Sequence, residues 1–370
     1  YRIGSFMEAL GSTALNILLF ILAFGALIFV HEFGHFILAR LSKIDVEEFG
    51  FGYPPKMFRL FRAGGTDFTL NWVPFGGFCR MKGENGDVTE PGSFLAAKPI
   101  RRLFTLLGGS LTNLLLGMFI IAFLFTRTGS PDLRTVQIAD VAAGTPAETS
   151  GLIIGDVIQS VNGITIDSMN ALSGQISSNL GKEVEIIVLR DGTEVPITVT
   201  PRAEWPSDQG PLGITIMNPT KQVTIIQAMP QAFMATLDQG YQLIMLPVRL
   251  ISGQIAPEQA RMVSVKGIYD IYAQVQTIDR EEAQANPELA GLNTLYFFAI
   301  ISIALGFTNL LPIPALDGGR ILFLLPELLF KKKIPPKFEG RVHAVFYALL
   351  ITLMVALVIN DIVNPVVLPK

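Results

Sequence analysis

The sequence predicts an α-helical multi-pass membrane protein of about four transmembrane helices, with a membrane-associated β-region and an inserted α+β domain. Three observations predict it. Half of the 370 residues are hydrophobic and only 16% are charged, against about 25% in an average soluble protein; the mean hydropathy is +0.47. Four stretches, 14–41, 103–125, 295–316 and 343–362, reach the roughly 20 apolar residues a helix needs to cross a bilayer. Between the second and third lies a long run of mixed polarity that reads as extramembrane.

Composition excludes several classes. The formal net charge of −3 gives no sign of nucleic-acid binding. A single cysteine, Cys79, excludes an internal disulfide and a cysteine-rich metal site. The chain opens at Tyr1, so either Met7 is the start or further residues precede Tyr1. The first apolar stretch is too long for the core of a signal peptide, and it ends in His31, Glu32 and His35.

Residues 1–43 hold the first span. Residues 44–100 follow as a β-region on the cytoplasmic side. There Thr66 to Val73 alternates in polarity, and Gly50-Phe51-Gly52 and Pro74-Phe75-Gly76-Gly77-Phe78 supply turns and open backbone. An edge strand within 66–78 would be free to pair with an extended peptide. Residues 101–127 hold the second span, where Gly109, Asn113 and Gly117 share one face, as in close helix packing.

Residues 128–203 read as a compact α+β domain. Thr145-Pro146-Ala147-Glu148 fits a helix start with a capping box, and Gly151 suits its left-handed end. Asn162-Gly163 and Asp191-Gly192 are hairpin signals. Met169, Leu172, Ile176 and Leu180 mark one face of a second helix. This order, with its G-L-x-x-G-D-x-I-x-x-x-N-G core, resembles a PDZ domain. The resemblance implies capture of an extended peptide or a free C-terminus by strand addition.

Residues 204–294 form an extracytoplasmic or interfacial region. Phe233, Leu237, Tyr241 and Met245 recur there at helical spacing, which suits an amphipathic helix lying on the membrane surface or packed on the protein itself. Residues 295–325 hold the third span, 326–342 a basic loop and 343–370 the fourth span with the C-terminus. Lys331-Lys332-Lys333, Lys337 and Arg341, with Arg101, Arg102, Arg40 and Lys43, put the short loops on the cytoplasmic side. The extramembrane insertion and both termini then lie outside, and spans one and three run in the same direction.

The first span closes on His31-Glu32-Phe33-Gly34-His35. Residues four apart share a helix face, so the two imidazoles can bind one metal ion with Glu32 beside them as general base. A catalytic zinc takes three protein ligands and leaves a fourth place for water. The third candidate is Asp317, in Asn309-Leu310-Leu311-Pro312-Ile313-Pro314-Ala315-Leu316-Asp317-Gly318-Gly319-Arg320. Ionisable side chains are costly in lipid and must face a cavity, a metal or each other. Pro312 and Pro314 break the helix where irregular backbone is tolerated only inside protein or beside a cavity. His343, at the start of span four, is given no metal role.

These paired motifs resemble the site-2 protease family of intramembrane zinc metalloproteases, more closely its bacterial regulator-of-sigma-E type with one PDZ domain. The resemblance implies a Zn²⁺ ion held by His31, His35 and Asp317, with Glu32 as general base. It implies substrate contacts at Asn309 and at Gly76, Gly77 and Phe78, and a bacterial inner-membrane location with the site toward the cytoplasmic side. Its substrates would be single-span membrane proteins, such as an anti-sigma factor already cut by another protease, or remnant signal peptides. Ser264-Val265-Lys266-Gly267-Ile268 departs from the family's Gly-Pro-Val-Gly-Ile. Two other readings use the same residues: a non-catalytic PDZ-bearing membrane scaffold and a metal transporter. Neither needs a glutamate base beside the metal.

Overall fold

The computed structural model describes residues 13–73, 76–84, 90–206, 209–256 and 260–368. The candidate start at Met7 and the turn residues Pro74 and Phe75 lie outside the described residues. The first half of the chain runs α1 (Arg2–Leu41), β1 (Val46–Ala63), β2 (Thr66–Met81), α2 (Pro99–Thr128), β3 (Ser130–Pro131), β4 (Val136–Val141), α3 (Pro146–Ser150), β5 (Val157–Val161), β6 (Ile164–Thr165) and α4 (Met169–Ser177). It continues with β7 (Val184–Arg190), β8 (Thr193–Val199), β9 (Ile214–Met217), β10 (Thr220–Lys221), α5 (Ile225–Ile251), α6 (Val265–Ala285), α7 (Leu292–Leu310), α8 (Asp317–Phe330) and α9 (Pro336–Val363). The chain divides into two compact units, one of Tyr1–Leu124 with Met229–Lys370 and one of Phe125–Ala228.

In the first unit, Thr13–Leu41, Pro99–Thr128, Pro287–Leu310 and Pro336–Val363 are long and apolar enough to cross a membrane. Small residues bring three of these helices together. Gly34 of α1 and Gly108 of α2 touch backbone to backbone, so a Cβ on either would run into the other. Thr112 Oγ1 donates to Val30 O across the same contact (2.9 Å). Gly117 of α2 faces Ile303 of α7, and Ser302 Oγ donates to Asn113 O (2.8 Å). α6 adds a layer through Tyr272, which is buried between Phe20 and Phe298.

The third span ends earlier than its expected 295–316. α7 ends at Leu310, and the next helix, α8, starts at Asp317. Pro312 and Pro314 cannot donate backbone hydrogen bonds, and Ala315 takes φ +83°, so 311–316 cannot continue the helix. Gly318 and Gly319 fit against the carbonyls of Leu310, Leu311 and Ile313, where a side chain would collide.

The β-region is more folded than an alternating strand implies. Residues 48–51 of β1 pair with 67–70 on one side and with 77–80 on the other, while 56–63 pair with 66–71. Residues 67–70 are therefore enclosed, which corrects the expected edge at 66–78: among the described residues, 77–80 pair on one side only and leave the other open. Ile44, Val46, Phe49 and Met81 bury this region against Ala39, Leu106 and Leu324 of the helices.

Of the two settings expected for α5, packing on the protein itself does not hold. Phe233, Leu237 and Tyr241 are exposed rather than packed, and Tyr241 lies under the guanidinium of Arg249 at 6.0 Å. Arg102, counted above among the charges of the short loops, is buried and paired with Glu327 of α8 (2.7 Å).

The second unit wraps a sheet of order β8-β7-β5-β4-β9, with β6 paired to β5, around a core that includes Val136, Ile158, Val161, Leu172, Ile186 and Val188. Thr145 Oγ1 caps α3 by accepting from Glu148 N, and Gly151 closes it at φ +86°. Asn162-Gly163 and Asp191-Gly192 turn with positive φ at both positions, which matches hairpin turns that follow the strand twist. Asp156, buried, receives Arg190 at 2.7 Å. Strand β9 lies beyond residue 203, so this sheet takes a strand that the expected domain boundary left out. It pairs with β4, and among the described residues its other edge has no strand partner.

Candidate metal centre

The last turns of α1 place His31 and His35 on one face, and both are buried. The break after α7 turns the chain so that the first residue of α8, Asp317, meets them. His31 Nε2 and His35 Nε2 each lie 3.2 Å from Asp317 Oδ2 and 3.3 Å from each other. Tetrahedral zinc with bonds of about 2.0–2.2 Å keeps its ligand atoms about 3.3–3.6 Å apart, so the donor triangle fits one zinc ion. Asp317 Oδ2 is buried and faces the two imidazole Nε2 atoms. Three acceptor atoms converging in a dry setting call for a cation. Among the described residues, these three form the one His/Cys/Asp/Glu group spaced to hold a metal.

A second layer of contacts orients the rings. His35 Nδ1 lies 2.9 Å from the Thr105 carbonyl, and donating its proton there leaves Nε2 free for a metal. His31 Nδ1 lies 3.4 Å from the Asn113 amide, whose Oδ1 is buried and otherwise unpartnered. With the amide turned over, Oδ1 accepts from Nδ1–H and His31 takes the same tautomer as His35. Gly109 completes the seat: a Cβ on it would lie 2.5 Å from His35 Nε2 and 2.6 Å from His31 Nε2. The small-residue face of α2 is therefore both a packing surface and the wall behind the imidazoles.

The triad opens on a cavity of about 790 Å³. Glu32, Asn309, Gly76 and Phe78 line it, with apolar walls from Phe24 and Met354. Gly77 stands against Glu32, whose Cγ is 3.4 Å from the place a Cβ would take. All the sequence-predicted site residues thus share one chamber or its rim. Asn309 Nδ2 donates to Leu305 O on its own helix (3.0 Å). Burial pushes up both the Tyr53 phenol and the Cys79 thiol at this chamber, so both stay protonated at ordinary pH.

Some site contacts have no local signal in the sequence. Arg320 of α8 pairs with Glu84 and ties the turn after β2 to the helix that carries Asp317. The Thr105 carbonyl is equally silent, whereas Asn113 was visible only as a polar residue among glycines.

The second unit carries its own groove of about 290 Å³ between α4 and β9, lined by Leu172, Ile176, Leu212, Ile214 and Trp205.

Residues 19–353 match the model of peptidase family M50. A protein of Clostridium perfringens assigned as a zinc metalloprotease is 34% identical, with 90% of this chain and 93% of that protein covered. The regulator of sigma-W protease RasP of Bacillus subtilis is 27% identical, covering 91% of this chain and 95% of its own length. The metalloprotease MmpA of Caulobacter vibrioides is 26% identical over 90% of this chain and 91% of its own.

Proposed function

The chain belongs to peptidase family M50, the site-2 protease family, and is a zinc metalloprotease; on that premise we propose that it cuts membrane-spanning substrates inside the bilayer. One observation carries this reading. Two imidazoles and a carboxylate from separate helices converge at 3.2–3.3 Å in a chamber among spans long enough to cross a membrane.

His31, His35 and Asp317 hold the ion. Zinc, when bound there, supplies Lewis acidity that brings the pKa of a coordinated water from 15.7 to about 7. Glu32, on the same helix and in the same chamber, takes the proton of the attacking water and delivers it to the leaving amine. Thr105 and Asn113 keep the rings in the tautomer that leaves Nε2 to the metal.

A transmembrane helix hides its scissile bond within its own hydrogen bonds and must unwind before attack. The open edge at 77–80 offers backbone groups to hold the unwound segment extended, with Gly76, Gly77 and Phe78 beside Glu32 and Asn309 across the chamber. The second unit acts as a PDZ domain. Its groove between α4 and the open edge of β9 takes an extended peptide or a free C-terminus, such as a previous cleavage would create.

The short basic loops orient the protein in a bacterial inner membrane with the active site toward the cytoplasm and the PDZ unit outside. Single-span membrane proteins fit the chamber, an anti-sigma factor already trimmed outside or a remnant signal peptide among them. A scaffold or a metal transporter would have no use for Glu32. The deciding experiment is Glu32→Gln with metal analysis and a cleavage assay on a single-span substrate in the membrane. Full zinc with cleavage reduced by about 10²–10⁴-fold is expected; unchanged cleavage would overturn the assignment.

A further inference from the structure

We propose that His343 of α9 is a positioning residue, which fixes the loop that delivers Asp317 to the metal site. It rests on the reading of Asp317 as a ligand and gives α9 a part in placing that ligand.

The argument is an account of backbone donors. Loop 311–316 has four N–H groups, because Pro312 and Pro314 have none. Three of them bond locally: Leu311 to Thr308 O, Ile313 to Leu311 O and Leu316 to Ile313 O. The fourth, Ala315 N–H, donates to His343 Nδ1 at 2.8 Å. Among the described residues it is the loop's one backbone N–H bonded to a different helix.

Ala315 is also the strained point. Its φ of +83° is a region that residues with a Cβ rarely occupy, and such a conformation persists only where the surroundings hold it. Two residues later stands Asp317. Gly318 and Gly319 lie in backbone contact with 310–314, so the loop and the first turn of α8 move together. A shift at Ala315 therefore carries the carboxylate with it.

The His343 ring is set for this task. Its Nε2 faces Glu339 Oε1 at 3.8 Å and its ring packs on Phe323 at 5.5 Å. Because Ala315 N–H donates to Nδ1, the neutral ring carries its proton on Nε2, on the side of Glu339.

The test replaces the acceptor and then removes it. In His343→Asn, Oδ1 occupies the place of Nδ1; His343→Leu has similar bulk and no acceptor. Full-length protein in detergent is loaded with Co²⁺ for visible spectra and with Zn²⁺ for retention against a chelator, with Asp317→Ala as reference. His343→Leu should shift the Co²⁺ bands and lose Zn²⁺ about 10–100-fold more readily, and His343→Asn should restore both. A wild-type spectrum and zinc retention in His343→Leu would overturn the proposal, as would equal losses in both variants, which would mark a packing role. If Asp317→Ala kept wild-type metal, the ligand reading itself would fall; loss of metal there with an unaltered His343→Leu would sink the positioning role alone.

Discussion

Gly109 stands so close to His35 that a Cβ on it would lie 2.5 Å from Nε2, the nitrogen that faces Asp317. Real side chains do not approach this closely, so one added methyl must displace a ring. Gly109→Ala should lower zinc affinity about 10–100-fold, as loss of ligand orientation does elsewhere. Gly25→Ala, on the same bundle with nothing within 4 Å of its Cβ, should leave zinc untouched. Zinc content after dialysis against a graded chelator separates the two.

The candidate site was legible in the sequence where it violated the rules of its surroundings. His31, Glu32, His35 and Asp317 are ionisable groups in apolar runs, and lipid does not tolerate such groups without a partner. What stayed hidden depends on geometry between distant segments. Asn113 on a glycine face reads as packing, and only the position of α1 turns its amide toward His31. Arg102 and Glu327 have no shared local pattern. The sheet at 46–81 folds back so that one stretch of β1 has neighbours on both sides, and strand periodicity carries no information about that register. Strand β9 is only four residues long and follows a run of prolines and glycines, so nothing local tied it to the domain before it.

Substrate unwinding is predicted to depend on the open edge at 77–80. Neighbouring residues of a strand point their N–H groups to opposite edges, so of Phe78 and Cys79 one serves the inner ladder and one the open side. Proline at the outward residue removes a donor to substrate without disturbing the pairing with 49–50. One of Phe78→Pro and Cys79→Pro should therefore slow cleavage about tenfold, the worth of one or two lost hydrogen bonds, while both keep full zinc. Unchanged turnover in both variants would count against substrate pairing there.

The groove of the second unit should be separable from the chemistry. Ser173 lies exposed on α4 at this groove. Ser173→Trp fills the groove without touching the buried face of the helix. Binding of C-terminal peptides to the full-length protein, read by fluorescence anisotropy, should weaken at least about tenfold, a loss of roughly 1.4 kcal/mol. Zinc content should stay at the wild-type level.

The pair Arg102–Glu327 sets the last expectation, for stability. The two charges meet at 2.7 Å with side chains only 10% and 13% exposed, and they join the start of α2 to α8. The guanidinium also sits over the Phe94 ring at 5.0 Å. Removing one partner strands the other charge in a dry setting, which costs about 3–5 kcal/mol. Replacing both with apolar residues of similar volume removes that penalty. Glu327→Leu alone should thus lower the midpoint of unfolding in detergent sharply, and Arg102→Met with Glu327→Leu should recover most of the loss. Because α8 begins at Asp317, the single variant should also release zinc at lower temperature than the double one. A double variant as unstable as the single would mean that the pair holds α2 and α8 together by attraction rather than by avoiding a stranded charge.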